Sequence, residues 1–550
     1  MKKKPDPSHR AHHPPSVLRS VSLVSAMTAI SRLGGLVREM MMAHFFGTSA
    51  LKSAFDIAFI VPNLFRRLFG EGALSSAFVP VFSETLEKEG REQARLFAMR
   101  VIAFLILVLG AVTLGGILLT YPLGRVLEPD SRWLIPLPMM RVMLPYALLI
   151  CVAALISGML NTLGKFGVSS ITPFLLNLVW ILTLAGIFPF LRDDPDHRVI
   201  VLSWMILVAG LAQIVFQIPA LHHHGFRFNI CWTGLLKDPR LIKVLARMGP
   251  AALGMGLIQV NVCVDKLLAY WADTAAPAAL EYAERIVYLP LGMFGTAFMT
   301  VLLPTFSRQA SRGDYPELRR TLERAMRNMI LIMAPCSAGL LALAFPSIEA
   351  IYRTRDGTFD HASAVLSARA LAAYAPGLLV FSFQKALVPA FYGMQDLKTP
   401  LRVSLSGLLL NITLNVTSVI LLPPGWKHCG IAASTVLTSA VNGLTLAVIL
   451  HRRIGAPCAA GVLGTLAKAT AAAALAAATA LAAHTLLARW LPGLTGAHKL
   501  TQITAVTGAI LTAAIAYGLM ALAFMRGEIF EMIHEFRHRR GAPPAQEKTP

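Results

Sequence analysis

Runs of about 20 apolar residues, broken by proline, glycine or clustered charge, recur along the whole chain. Such a run crosses the hydrocarbon of a bilayer as a helix with its backbone hydrogen bonds closed internally. A β-barrel would show alternation over about 10 residues instead, which these runs lack. Of 550 residues, 55% are hydrophobic and only 14% charged, well below the quarter usual in soluble domains. The expected class is an all-α polytopic membrane protein with about fourteen transmembrane helices. The approximate spans are 16–46, 50–82, 97–124, 135–163, 168–190, 199–220, 240–271, 276–307, 322–350, 363–393, 400–423, 428–451, 459–488 and 499–525.

Charge outside the spans gives orientation. With both termini cytoplasmic, the inner loops and tails collect roughly thirty of the lysines and arginines and the outer loops roughly ten. "SRQASRGDYPELRRTLERAMR" and "HRRIG" then fall inside and "WADTAAPAALE" outside. The net charge of +21 is mostly topology, and its spread over many loops argues against nucleic acid. The proline-rich basic start and the end "RHRRGAPPAQEKTP" read as tails. Six cysteines without CxxC spacing suggest neither a disulfide framework nor a zinc site, and His222-His223-His224 reads as a solvated basic loop.

An internal echo joins the halves. "FIVPNLFRRLFGEGALSSAFVPVFSE" ends in Pro80-Val81-Phe82-Ser83, and "IVYLPLGMFGTAFMTVLLPTFSR" ends in Pro304-Thr305-Phe306-Ser307, with Pro62 and Pro290 leading the two copies. The shared orientation suggests parallel repeats. Chance similarity of two apolar helices is the alternative.

Most spans carry no charge, so the exceptions carry information. Arg32 and Arg38 lie in "SRLGGLVREMM", Arg66 and Arg67 in "NLFRRLFGEG", and Arg285 in "EYAERIVYLP". Each arginine at mid-membrane costs about 2.5–3.5 kcal/mol, so each needs water, a counter-ion or a ligand. Local pairs answer part of this: Arg38 adjoins Glu39, while Arg67 and Glu71, and Glu281 and Arg285, stand at i and i+4. Arg32 and Arg66 have no carboxylate three or four residues away. Gly34-Gly35, Gly70 and Gly72 mark the same helices as able to bend. Bent helices with excess arginine suggest the wall of a hydrated cavity that takes an anion, and guanidinium forks suit phosphate oxygens. A second polar group comprises Asp265, Asn411 and Asn415 on one helix face, and Thr435. These oxygens would suit a hard cation such as sodium, or simply hydrogen-bond between helices.

Enzymatic motifs are missing. "GMLNTLGKFG" has the wrong spacing for a P-loop, and HExxH, GxSxG and GxGxxG do not occur. Transport driven by an ion gradient or the membrane potential is the better class.

These stretches resemble the MurJ/MviN lipid II flippases, of the multidrug/oligosaccharidyl-lipid/polysaccharide exporter superfamily. The resemblance covers about residues 17–525 and rests on "SRLGGLVRE", "PNLFRRLFGEGALSSAFVPVFSE", "GMLNTLGKFGVSSITPFLLN", "YAERIVYLPLGMFGTAFMTVLLP" and "PAFYGMQDLKTP". It implies two pseudo-symmetric six-helix lobes, at 16–220 and 221–455, and two final helices at 456–525 that form a groove for a lipid tail. Residues 1–15 and 526–550 would be cytoplasmic tails. It implies a multi-pass protein of the bacterial inner membrane, monomeric and without a cofactor, that serves cell-wall synthesis and its proteins. The substrate would be a lipid-linked diphosphate oligosaccharide-peptide moved from inner to outer leaflet. Essential arginines of the family match Arg32, Arg38, Arg66 and Arg285, with Arg67 beside them; Lys385 matches a basic position and Glu71 an acidic one. Glu39, Glu281 and Glu284 are candidate ion-pair or gating partners. Ser53 replaces an acidic residue for which Asp56 is the substitute, and Tyr288 stands where some members have glutamate. Sodium or proton coupling at Asp265 is open. The rival readings are a cation-coupled multidrug antiporter, a polyprenyl-phosphate transferase and a non-transporting cell-wall scaffold.

Overall fold

The computed structural model describes residues 17–70, 73–191, 193–227, 229–455, 459–490 and 498–531. Regular structure among them is entirely helical. Among the described residues nine helices are long and apolar enough to cross a membrane, and up to eleven spans result if each of two bent helix pairs counts as one. That supports a polytopic helical protein without confirming the count of fourteen. The chain divides into two compact units, Met1–Met42 with Ala54–Gln259, and Ala43–Ser53 with Val260–Pro550.

The first unit contains α1 (Val17–Phe46, whose last residues belong to the second unit), α2 (Ala50–Ala58) and α3 (Ile60–Phe65). A π-helical turn, Arg66–Gly70, follows, then α4 (Ala73–Lys88) and α5 (Gly90–Val126). The stretch expected as one helix over 50–82 is therefore broken. Next come α6 (Pro136–Met143), α7 (Tyr146–Thr162), α8 (Phe166–Leu182), α9 (Pro195–His223) and the start of α10 (Pro239–Ala272). The span made of α6 and α7 bends by 42°. Pro145 sits at the break, where its missing N–H and its ring deny the helix a regular turn.

The second unit repeats these devices in the same order. In α11 (Ala276–Pro290) a π-helical turn, Leu291–Gly295, leads into α12 (Thr296–Ser311). After α13 (Tyr315–Ala342) and α14 (Ala344–Tyr352), the pair α15 (His361–Tyr374) and α16 (Gly377–Gly393) bends by 44° at Pro376. The echo seen in the sequence thus has a structural counterpart: each copy is an α–π–α segment, and each is followed by a proline-broken span. Then come α17 (Lys398–Leu421), α18 (Lys427–Ile454), α19 (Ala459–Trp490) and α20 (His498–Phe524). Ala469, Ala472, Ala473, Ala476 and Ala480 of α19 are all buried. Spaced by three and four, these small side chains let α13 and α20 approach closely, which is how helices associate where no hydrophobic gradient drives them.

Polar clasps close the connections. In "GMQDLKTP", Asp396 Oδ1 accepts from Thr399 N at 2.9 Å, and Oδ2 accepts from Thr399 Oγ1 at 2.6 Å and from Arg453, at the end of α18, at 2.5 Å. In the first unit, Asp238 at the head of α10 takes Arg100 of α5 at 2.8 Å and Arg240 at 2.9 Å, and Arg240 also reaches Glu89 at 2.8 Å. Burial alone would raise the Asp238 carboxyl, but the hydrogen bonds from Arg240 and Arg100 outweigh it and hold the group at about 2.

Asp238→Asn leaves two guanidinium groups short of their acceptor, a loss of about 1–3 kcal/mol. The expected outcome is a lower thermal unfolding midpoint in detergent. Because the folded pKa lies below the unfolded value, this contribution is complete above about pH 4 and fades as pH falls towards 2. The gap between wild type and variant should close over that window; a gap that stays constant rejects the assignment.

Candidate functional site

In the first unit Arg38, Arg66 and Arg67 each donate to a side-chain amide. Arg38, mostly buried, donates to Asn177 Oδ1 of α8 at 3.1 Å and to Glu39 Oε1 at 2.5 Å. Its guanidinium also lies over the Trp180 ring, 4.3 Å from the centroid. The ring is held in turn: Trp180 Nε1 donates to Met42 Sδ at 3.2 Å, and Phe55 and Phe59 meet it edge-on at 5.3 and 6.0 Å. Asn177 Nδ2 reaches back to the Ser31 carbonyl at 3.0 Å, so one side chain clips α1 on both sides of Gly34-Gly35. Those glycines leave α1 continuous. What they allow is close approach: a Cβ at Gly34 would lie 3.3 Å from the Phe174 ring and 3.5 Å from the Asn177 Cβ.

Arg66 and Arg67 open the π-helical turn, an irregularity frequent at functional sites. Arg66 Nε donates to Asn63 Oδ1 at 3.0 Å and Arg67 Nη1 to Gln259 Oε1 at 3.2 Å. An amide oxygen orients a guanidinium without cancelling its charge. The expected Arg67–Glu71 pair falls outside the described residues, since Glu71 and Gly72 are not among them. Arg32 is exposed and Asp56 buried.

In the second unit the four candidate cation ligands come together. Asn415 Nδ2 donates to Asp265 Oδ1 at 2.6 Å and to Asn411 Oδ1 at 2.8 Å; Thr435 Oγ1 and Asn261 Nδ2 each reach Asp265 Oδ2 at 3.4 Å. Asn411 and Asn415 are fully buried, yet Asn411 Nδ2 and Asn415 Oδ1 have no hydrogen-bond partner. An unsatisfied buried carbonyl oxygen beside a carboxylate is unusual and costly, and it is a donor a hard cation would take. No group of three or more His, Cys, Asp or Glu placed to hold a metal occurs among the described residues. His222 and His223 are exposed at the end of α9.

Glu281 is bridged by Lys266 at 2.9 Å, a partner that helical spacing on α11 did not suggest; Arg285 lies one turn further along. Glu284 Oε1 accepts from Tyr374 at 3.2 Å. Lys385 is half-buried, its stem packed near Gly295 of the second π-helical turn. Tyr288 is exposed, and buried Ser53 accepts from Ala278 N at 3.3 Å. Sequence reasoning missed Asn63, Asn177, Trp180, Gln259, Asn261 and Lys266. The amides were visible as polar residues in apolar spans, but their partners lie on other helices.

Residues 42–501 match the family model described as lipid II flippase MurJ. The chain is 33% identical over 450 residues to a probable lipid II flippase MurJ of Vibrio cholerae, covering 79% of this chain and 83% of that one. It is 31% identical to a Rhizobium tropici protein of the same description, covering 97% and 99%. A solved structure of lipid II flippase MurJ in an inward closed conformation superposes with a TM-score of 0.72 at 22% identity, covering 92% of this chain and all of that one. An inward-facing MATE multidrug transporter of the MOP superfamily gives 0.64 at 14% identity, covering 79% and 98%. At these identities the structures speak for the fold.

Gly34→Ala gains about 0.5–1 kcal/mol of helix propensity against a contact the Phe174 ring can relieve, so its thermal midpoint should stay near wild type. Gly34→Leu forces α1 and α8 apart and should cost about 1–3 kcal/mol. Equal midpoints for wild type and the leucine variant would reject the packing role.

Proposed function

The chain belongs to the MurJ family of lipid II flippases, and from that premise we propose how it handles its substrate. The family is one of transporters, and the multi-pass helical chain is that of a membrane flippase in peptidoglycan synthesis. The headgroup of lipid II is carried on a diphosphate. Our reading is that Arg32, Arg38, Arg66, Arg67, Arg285 and Lys385 contact that headgroup during alternating access from the inner to the outer leaflet. Both termini are cytoplasmic in this reading, and the last two helices guide the lipid tail. The chain acts as a monomer.

The observation that carries the reading is that Arg38, Arg66 and Arg67, placed within apolar helices, each donate to an amide oxygen. A guanidinium gives up an amide hydrogen bond for a net cost of about 0.5–1.5 kcal/mol. Breaking a buried ion pair costs about 3–5 kcal/mol. The Arg67–Gln259 hydrogen bond is therefore cheap to exchange for one to a phosphate oxygen, whereas Arg38, tied to Glu39, is released at higher cost and suits a later step. The fork geometry takes two oxygens at once, and a low-dielectric setting strengthens each contact. Membrane potential, worth about 2.3 kcal/mol per charge per 100 mV, drives the cycle. The Asp265, Asn411, Asn415 and Thr435 oxygens fit sodium; a proton on Asp265 would serve the same charge. A cation bound there would supply positive charge to compensate the Asp265 carboxylate.

Arg66→Ala and Arg285→Ala should each lower flipping in reconstituted vesicles at least tenfold while the protein stays folded by thermal unfolding. Arg285→Lys should recover little if two oxygens are gripped together. Full flipping by both alanine variants rejects the arginine reading. Depleting the protein in cells should leave lipid II accessible only at the inner leaflet; unchanged appearance at the outer leaflet rejects the proposed direction. Asp265→Asn should abolish sodium binding, followed by sodium-23 relaxation, and retained binding rejects the cation assignment.

A further inference from the structure

Glu281 of α11 lies among several cations. Its carboxylate takes Lys266 Nζ at 2.9 Å. Lys52, only 1% exposed with its ammonium 5.3 Å from the Tyr282 ring centre, also acts on it, and so does Arg285, one turn along α11. A single carboxylate thus answers to three cations. Two of these lead elsewhere. Lys266 is the sequence neighbour of Asp265, the centre of the oxygen cluster. Arg285 is assigned to the headgroup. The bridge between α10 and α11 is therefore a charged path from the oxygen cluster to that arginine.

We propose that Glu281 couples the two ligands: occupancy of the oxygen cluster by a monovalent cation sets, through the Lys266–Glu281 bridge, how freely Arg285 is offered to the diphosphate. The inference rests on the assignments of Asp265 and Arg285 made above. Without a cation, Lys266 divides its attraction between the neighbouring Asp265 and Glu281, and Glu281 keeps a share for Arg285. A cation at the cluster neutralises Asp265. Lys266 then leans wholly on Glu281, and the Arg285 guanidinium is released to phosphate oxygens. Cation and headgroup therefore favour each other. By linkage, whatever factor the cation adds to headgroup affinity, the headgroup adds to cation affinity. Glu281 is a positioning residue here, since it touches neither ligand.

The test uses the full chain in nanodiscs and a short-chain lipid II analogue as probe. Its affinity is measured in sodium chloride and in choline chloride at equal ionic strength, and sodium binding is followed independently by sodium-23 relaxation. For the wild type, sodium should tighten the probe at least about fivefold. In Glu281→Gln, nearly isosteric, the sodium effect should fall to within about twofold while sodium still binds. Lys266→Met should do the same from the α10 side, and the exchanged pair Lys266→Glu with Glu281→Lys should recover part of the effect. A wild-type sodium effect retained in Glu281→Gln overturns the inference, as does wild-type sodium binding without any effect on the probe. Absence of sodium binding in the wild type overturns it too, and takes the cation assignment of Asp265 with it.

Discussion

An ionised side chain inside hydrocarbon must be given oxygens, an opposite charge or an aromatic face. The rest of this structure is arranged around that requirement. Arg38 receives all three, from Asn177, Glu39 and Trp180. Asp265 receives two amides and a hydroxyl. Lys52 is buried over a tyrosine ring. In each case at least one partner belongs to a segment far away in sequence, 139 residues for Arg38 with Asn177 and 150 for Asp265 with Asn415. Satisfying a charge therefore also sets which helices touch and at what rotation. Apolar packing alone cannot impose this, because lipid tails solvate leucine as well as another helix does.

The second organising device is controlled irregularity of the backbone. Proline at 145 and at 376 bends one span in each unit by nearly the same angle. A π-helical turn appears once in each copy of the echoed segment. In the first copy that turn begins at the arginine pair; in the second it follows Pro290 at the end of α11 and begins six residues past Arg285. The recurrence of bend and π turn in the same order argues for descent from one repeated unit more strongly than the residue echo does. Backbone geometry persists where side chains have diverged to bind or not to bind.

Much of this was legible in the residues. Run length and low charge gave helices in a membrane; Asn411 and Asn415 at i and i+4 gave a shared face, and the structure puts both on Asp265. Arg38 with Glu39 was readable from adjacency. Other contacts could not be read from one helix at a time. Helical spacing paired Glu281 with Arg285, which does act on it, but did not reveal that Lys266 of α10 bridges the same carboxylate. Gly34-Gly35 suggested freedom to bend; the helix is continuous there, and the missing Cβ makes room for Phe174. The span at 50–82 suggested one helix and is broken into several elements.

The residues alone determined the solvent, the helical class and the identity of the anomalous polar side chains, because each follows from what lipid tolerates along a single helix, while the family followed from the resemblance of particular motifs. Only the tertiary structure decided the partners: Asn177 for Arg38, Gln259 for Arg67, Lys266 for Glu281, Asn261 for Asp265. The reason is that a helix apolar on every face carries no amphipathic stripe to announce its rotation. A hydrogen bond holds only within about 3 Å, so a polar partner is defined only when two helices meet at one rotation and register, which neither helix's own residues specify.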